Sequence, residues 1–131
     1  GGGYNHRRDL SSGILIKDNH LQAAGGVKNA VQSVRKHCPQ HFIELEVENF
    51  EQLQEALEVG VDGILLDNMS VETVKKAVEM IRSKGENIFI EASGGITDKT
   101  LTDYAWTGID GVSLGVLTHH VKSIDLRLEF L

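Results

Sequence analysis

One cysteine and one proline are all that this chain of 131 residues holds of either type. A lone Cys38 excludes an intrachain disulfide and fits a reducing compartment. A lone Pro39 excludes a proline-rich linker, so the fourteen glycines point to tight turns and close backbone approaches. Cations are outnumbered: 13 Lys and Arg face 19 Asp and Glu, for a formal net charge of −6. That balance argues against non-specific binding to nucleic acid or to an anionic membrane. No apolar run is long enough to cross a bilayer, and the N-terminus shows no signal-peptide pattern. The chain therefore reads as cytoplasmic, with neither nucleic acid nor membrane as a partner. Also missing are a Ser-His-Asp arrangement, a Rossmann fingerprint and a zinc-ligand spacing. His6 and His119-His120 lack the spacing of metal ligands.

What is present begins with Phe42-Ile43-Glu44-Leu45-Glu46-Val47-Glu48. Strict alternation is a strand pattern, so Leu45 and Val47 share one face while Glu44, Glu46 and Glu48 share the other. The apolar runs Ile14-Leu15-Ile16, Gly63-Ile64-Leu65-Leu66 and Ile88-Phe89-Ile90 read as neighbouring strands of a sheet covered on both faces. Carboxylates inside such a sheet must meet cations, a metal or phosphate-bound metal. The bland alternative is a solvated face on an exposed strand.

The chain opens on three glycines and His6-Arg7-Arg8, which reads as a cut end or a loop entered midway, suited to a carboxylate or phosphate. Ser11 to Lys17 reads as a short buried strand. Val27, Ala30, Val31 and Val34 make one apolar helix stripe, closed by Pro39. A second short helix carries Leu53, Ala56 and Leu57 and ends at Gly60. Gly60-Val61-Asp62-Gly63-Ile64 then returns 48 residues later as Gly108-Ile109-Asp110-Gly111-Val112. This echo indicates repeated helix-to-strand units and a parallel α/β arrangement. Ser70 caps a helix with Val74, Ala77, Val78 and Ile81. Thr97 or Asp98 caps another with Leu101, Tyr104 and Ala105. Near the C-terminus Ile124, Leu126, Leu128 and Phe130 alternate with other residues. Five strands and four helices make part of a (β/α) barrel or an open doubly wound sheet. A closed eight-unit barrel takes roughly 250 residues, more than this chain has.

In a parallel α/β fold the residues that end the strands converge on one face. Here they are Lys17 and Asp18, Glu46 and Glu48, Asp67, Ser93-Gly94-Gly95, and Gly115 with Thr118 and His119. Ser93, Gly94 and Gly95 offer backbone N–H groups at the entrance to a helix whose dipole favours an anion, and Gly115 lets a phosphate approach from the other side. Glu46 and Asp67 could hold Mg²⁺ directly or through water, or stabilise positive charge developing on a sugar. Lys17 could serve a ligand or be a plain counter-ion to Glu46.

These residues also carry a resemblance. Asn5-His6-Arg7, Leu15-Ile16-Lys17-Asp18-Asn19-His20, Glu44-Leu45-Glu46-Val47-Glu48, Leu65-Leu66-Asp67-Asn68, Glu91-Ala92-Ser93-Gly94-Gly95-Ile96 and Gly115-Val116-Leu117-Thr118-His119 closely resemble the quinolinate phosphoribosyltransferase family, in register over nearly the whole chain. The resemblance implies a TIM-like phosphoribosyltransferase barrel and transfer of phosphoribosyl from phosphoribosyl pyrophosphate to quinolinate, with Mg²⁺. Nicotinate mononucleotide, CO₂ and pyrophosphate would form, as a step of NAD biosynthesis. It also implies a homodimer or higher homo-oligomer. Carried over by motif, His6, Arg7 and Lys17 would grip the quinolinate carboxylates. Glu46 and Asp67 would face the ribose and the Mg²⁺–pyrophosphate. Ser93, Gly94, Gly95 and Gly115 would cradle the 5′-phosphate, with His119 nearby.

Family members also have an N-terminal sandwich domain and earlier barrel strands. Residues 1–131 are therefore expected to be the C-terminal part of the barrel domain, a fragment with an exposed sheet edge. Two other readings stand beside this one. The first is a related phosphoribosyltransferase with another acceptor such as nicotinate, against which His6-Arg7 with Lys17 argues. The second is a non-catalytic fragment that only binds phosphorylated ligands. An unrelated phosphate-binding barrel would leave the Asn5-His6-Arg7 and Lys17-Asp18-Asn19-His20 motifs unexplained.

Overall fold

The computed structural model describes residues 2–85, 87–119 and 123–130. Its elements run β1 (Ile14–Ile16), α1 (Asp18–Ala24), α2 (Val27–His37), β2 (Ile43–Val47), α3 (Phe50–Val59), β3 (Gly63–Asp67), α4 (Val71–Lys84), β4 (Phe89–Ser93), α5 (Leu101–Ala105), β5 (Gly111–Val112) and α6 (Val116–His119). The five strands pair in sequence order, β1-β2-β3-β4-β5, and every pair is parallel. A doubly wound sheet would reverse its order at a switch point. Sequential order with right-handed crossovers puts all helices on one side and makes an arc of a (β/α) barrel.

The helix-facing side is the core. Ile43, Leu45, Val47, Ile64, Leu66 and Ile90 from the strands pack with Val31, Leu53, Ala56, Val74, Ala77 and Ile81 from the helices. The other side is the barrel interior, and it carries carboxylates beside aromatic rings. Phe42, Glu44 and Glu46 alternate with the core residues of β2, as Phe89, Glu91 and Ser93 do on β4.

The strands are staggered. In the ladder Glu44 lies beside Gly63, and Gly63 beside Phe89. Yet Phe89 packs edge-on against Phe42, with ring centroids 6.5 Å apart. Contacts across the inner face thus slip two residues over two strands, the shear that barrel closure needs. Gly63 sits between these rings. A Cβ there would stand 2.9 Å from the Phe42 ring, so the position excludes a side chain.

The echo seen in the sequence is a repeated structural clamp. Arg35 Nη2 meets Asp62 Oδ2 at 2.7 Å, Arg35 Nη1 donates to the His41 carbonyl at 3.1 Å, and Ile43 N donates to Asp62 Oδ2 at 2.8 Å. One unit later Arg82 meets Asp110 at 2.6 Å, Arg82 Nη1 donates to the Ile88 carbonyl at 2.7 Å, and Ile90 N donates to Asp110 Oδ2 at 2.8 Å. Each clamp ties a helix to the start of the next strand and the turn beyond it. Asp62→Ala removes the acceptor of the Ile43 N–H and is expected to cost about 1–3 kcal/mol, with Asp62→Asn losing far less. Urea unfolding of both variants checks this; equal losses would mean that only the ion pair matters.

Several elements differ from the sequence expectation. The first strand begins at Ile14 rather than Ser11, because Asp9 closes a turn, accepting from Ser11 N and Ser11 Oγ at 2.9 and 2.6 Å. The first crossover holds two helices. The extra one, α1, has Lys17 as its N-cap, whose N–H donates to His20 Nδ1 at 2.9 Å and so finds a capping partner. The helix after β4 begins at Leu101, since Thr97 and Thr100 first bond to one another in a turn. The alternating residues Ile124, Leu126, Leu128 and Phe130 lie exposed and form no strand within 123–130. β1 and β5 each pair on one side only, so the arc has two edges among the described residues. An apolar cavity of about 240 Å³ lies beside β1, between Ile14, Ile16, Ala30 and Val34.

Candidate active site

At the C-terminal end of β1 the side chain of Lys17 turns inward, and its Nζ lies 3.0 Å from Glu46 Oε2 at the end of β2. The counter-ion reading of Lys17 is therefore a structural fact, and it leaves Lys17 about half exposed for a second partner. Asp67 ends β3 and accepts from Asn68 Nδ2 at 2.6 Å. Asn68 has φ of 52° and donates its N–H to the Ser93 carbonyl at 2.9 Å, locking the ends of β3 and β4 together.

Ser93 and the positive-φ glycines Gly94 (89°) and Gly95 (64°) follow. Five residues, 96–100, separate this turn from the start of α5 at Leu101, itself a helix of five residues. The expected helix dipole is thus not placed at the Ser93-Gly94-Gly95 turn. Any anion held there would rest on the turn's own N–H groups. Gly115 lies just past β5, and the His119 N–H donates back to its carbonyl at 2.9 Å, closing α6. His119 itself is exposed.

Glu44 and Glu91 are functional candidates that the sequence reading did not place in the site. They occupy the same inner face two residues before Glu46 and Ser93. Both are buried, at 6% exposure. His6 Nε2 stands 3.4 Å from Glu91 Oε1 and 3.8 Å from Glu44 Oε2. Ser113 Oγ donates to Glu91 Oε1. The parity of the acidic strand marks Glu44 as inward. Glu91 is legible only as the one charge in an apolar run.

Among the described residues, His6, Glu44 and Glu91 form a group with donor atoms within 4.8 Å of one another, a spacing that a metal could span. This grouping was invisible in the linear spacing of histidines. Glu46 and Asp67, the expected Mg²⁺ ligands, do not join it. As a pair of carboxylates they suit an ion that takes most of its ligands from water and phosphate.

Burial pushes the Glu44 carboxyl from its ordinary 4.5 up to about 7; the charges of Glu91 and Glu46 add to the rise, and Arg7 opposes it. The folded state then binds this proton more tightly than the unfolded chain. Its contribution is full below pH 4.5 and is lost as pH rises through 7. Glu44→Gln has no charge to desolvate. It is expected to gain about 2 kcal/mol on the wild type between pH 5 and pH 8. Denaturant unfolding of both at the two pH values measures it, and a pH-independent difference would show that Glu44 is no cost to the fold.

Comparisons with known proteins give the chain its family. The sequence model of the family "Quinolinate phosphoribosyl transferase, C-terminal domain" matches residues 1–129. A probable carboxylating nicotinate-nucleotide pyrophosphorylase of Bacillus subtilis is 44% identical over 130 residues, covering 98% of this chain and 44% of the relative. Its counterpart from Synechocystis is 42% identical over 130 residues, with the same two coverages. The solved nicotinate-nucleotide pyrophosphorylase of Francisella tularensis superposes with a TM-score of 0.87 at 38% identity, over 95% of this chain and 43% of that one. The chain spans a little under half the length of the curated relatives it matches. Five sequential parallel strands, site residues gathered at their ends and a family match over nearly every residue lead to one conclusion: the chain belongs to the C-terminal domain family of quinolinate phosphoribosyl transferase.

Proposed function

We propose that this chain is the C-terminal part of the barrel domain of an enzyme that transfers phosphoribosyl from phosphoribosyl pyrophosphate to quinolinate, releasing pyrophosphate and CO₂. The carrying observation is the meeting of basic and acidic groups at one end of the sheet: Lys17 against Glu46 at 3.0 Å, with Asp67 and the Ser93-Gly94-Gly95 turn beside them on the next two strands.

His6, Arg7 and Lys17 bind the two quinolinate carboxylates and orient the ring nitrogen toward C1 of the ribose. As the C1–pyrophosphate bond breaks, positive charge develops on the ribose, and the carboxylates of Glu46 and Asp67 stabilise it without a protein nucleophile. The new N–C1 bond leaves a pyridinium. Its positive nitrogen stabilises the electron pair left on the adjacent ring carbon when the carboxylate departs as CO₂, and that carbon then takes a proton from water. Ser93, Gly94, Gly95 and Gly115 hold the 5′-phosphate through backbone N–H groups, with His119 at the rim. Glu46 and Asp67 would hold Mg²⁺, directly or through water, and the ion would supply charge neutralisation to the pyrophosphate leaving group.

No helix among the described residues is long and apolar enough to cross a membrane. The reading places the protein in the cytoplasm as a homodimer or higher homo-oligomer. A nicotinate acceptor is disfavoured because three basic side chains suit two carboxylates better than one.

The test is CO₂ release from quinolinate with phosphoribosyl pyrophosphate and Mg²⁺, by the chain alone and joined to an N-terminal segment of the family. Release by the joined protein, without pyrophosphate release when nicotinate replaces quinolinate, supports the reading. No release from the joined protein would sink it. Release by the chain alone would show that 131 residues complete the site.

A further inference from the structure

Two buried carboxylates, Glu44 and Glu91, lie beneath the site just described and have no part in the chemistry assigned to it. Glu44 and Glu91 face one another across the barrel interior from alternate strands, as the stagger of the sheet requires. Each precedes a site residue by two positions on the same face, Glu46 on β2 and Ser93 on β4. A cavity of about 300 Å³ is lined by this pair together with His6, Arg7, Phe42 and Phe89.

The cluster is incompletely satisfied. Glu44 Oε1 and Arg7 Nε are buried without a hydrogen-bond partner in the structure. Glu91 is anchored by the Ser113 hydroxyl, so of the two carboxylates it is the one held in place. One imidazole nitrogen, His6 Nε2, faces both acids at 3.4 and 3.8 Å. A carboxylate facing one ring nitrogen fixes which nitrogen carries the hydrogen and how the ring is turned. The other nitrogen is left for a ligand.

We propose that Glu91, seated by Ser113 and seconded by Glu44, is a positioning residue that turns the His6 imidazole and draws the Asn5-His6-Arg7 loop onto the barrel, so that His6 meets a carboxylate of the substrate. This rests on the reading that His6 binds quinolinate. A divalent cation between the same three side chains is the competing use of the site. Arg7 argues against it, because its charge already acts on Glu44 and would repel an added ion. Between residues 2 and 8 the loop is covered chiefly at His6, whose side chain is 39% exposed against the two acids, and at half-buried Arg7, whose Nη1 donates to the Gly13 carbonyl at 3.4 Å.

The experiment is a double-mutant cycle in the full-length enzyme that carries this chain. Glu91→Gln is expected to raise KM for quinolinate about tenfold with KM for phosphoribosyl pyrophosphate unchanged within twofold, and Ser113→Ala to move it the same way by less. His6→Ala with Glu91→Gln is expected to be no worse than His6→Ala alone, because Glu91 acts through His6. Additive losses, or equal rises for both substrates, would overturn the proposal. So would a rise in affinity for Mn²⁺ in the wild type that Glu91→Gln abolishes. Selective ¹⁵N-histidine spectra of the same variants read the ring directly: the His6 signals must shift in Glu91→Gln even without substrate. If the wild type shows no CO₂ release, the functional reading has failed. The spectra still decide whether Glu91 sets the ring.

Discussion

Glu46→Gln is expected to lower kcat by on the order of a hundredfold while leaving the fold in place. The substitution keeps shape and removes one charge, and two consequences act in the same direction. In the proposed reaction, Glu46 no longer offsets the positive charge that develops on the ribose as pyrophosphate leaves. Lys17, whose Nζ sits 3.0 Å from Glu46 Oε2, loses its counter-ion and adds positive charge where the reaction builds more. KM for quinolinate should not rise, because a freed Lys17 binds a substrate carboxylate at least as well. Steady-state kinetics on both substrates check this. An unchanged kcat would remove Glu46 from the chemistry, and a rise in KM without a fall in kcat would make it a binding residue.

Gly94→Ala is expected to destabilise the protein by about 3 kcal/mol and, if the turn holds the 5′-phosphate as proposed, to abolish that binding. Gly94 has φ of 89°, which a residue with a Cβ reaches only with strain. A Cβ there would also stand 2.6 Å from Asn68 Cγ and 2.8 Å from the Asn68 backbone nitrogen. The side chain could swing away. The backbone nitrogen could not, because it donates to the Ser93 carbonyl at 2.9 Å and joins the ends of β3 and β4. Gly95→Ala is the control. Its φ is also positive, but nothing lies within 4 Å of the added methyl, so only the strain of about 1–2 kcal/mol applies. Equal losses in the two variants would show that the contact with Asn68 has no weight.

Much of this was legible along the chain, for local reasons. Leu45 and Val47 face the helices and Glu44 and Glu46 the interior because successive side chains of a strand must point oppositely. Val27, Ala30 and Val31 are buried on α2 because their spacing follows the helical turn. Ser70 caps α4, accepting from Thr73 N at 3.2 Å. Glu48 was grouped with the inward carboxylates but lies past the end of β2 and is exposed. α1 gave no periodic signal, since Leu21 is its only buried residue. α5 begins at Leu101 rather than just after Thr97 or Asp98, because Thr97 and Thr100 bond to one another in a turn that precedes it.

The sequence by itself determined the parallel α/β plan, the strands whose ends carry the site, and the family motifs. These follow from period, parity and residue type, which are properties of chain neighbours. Only the tertiary structure decided which carboxylate meets which cation. Lys17 reaches Glu46 because β1 and β2 are adjacent in the sheet. His6 comes to lie against both Glu44 and Glu91 because the stagger carries contacts two residues along over two strands. That offset belongs to the closing sheet and to no segment of the chain alone.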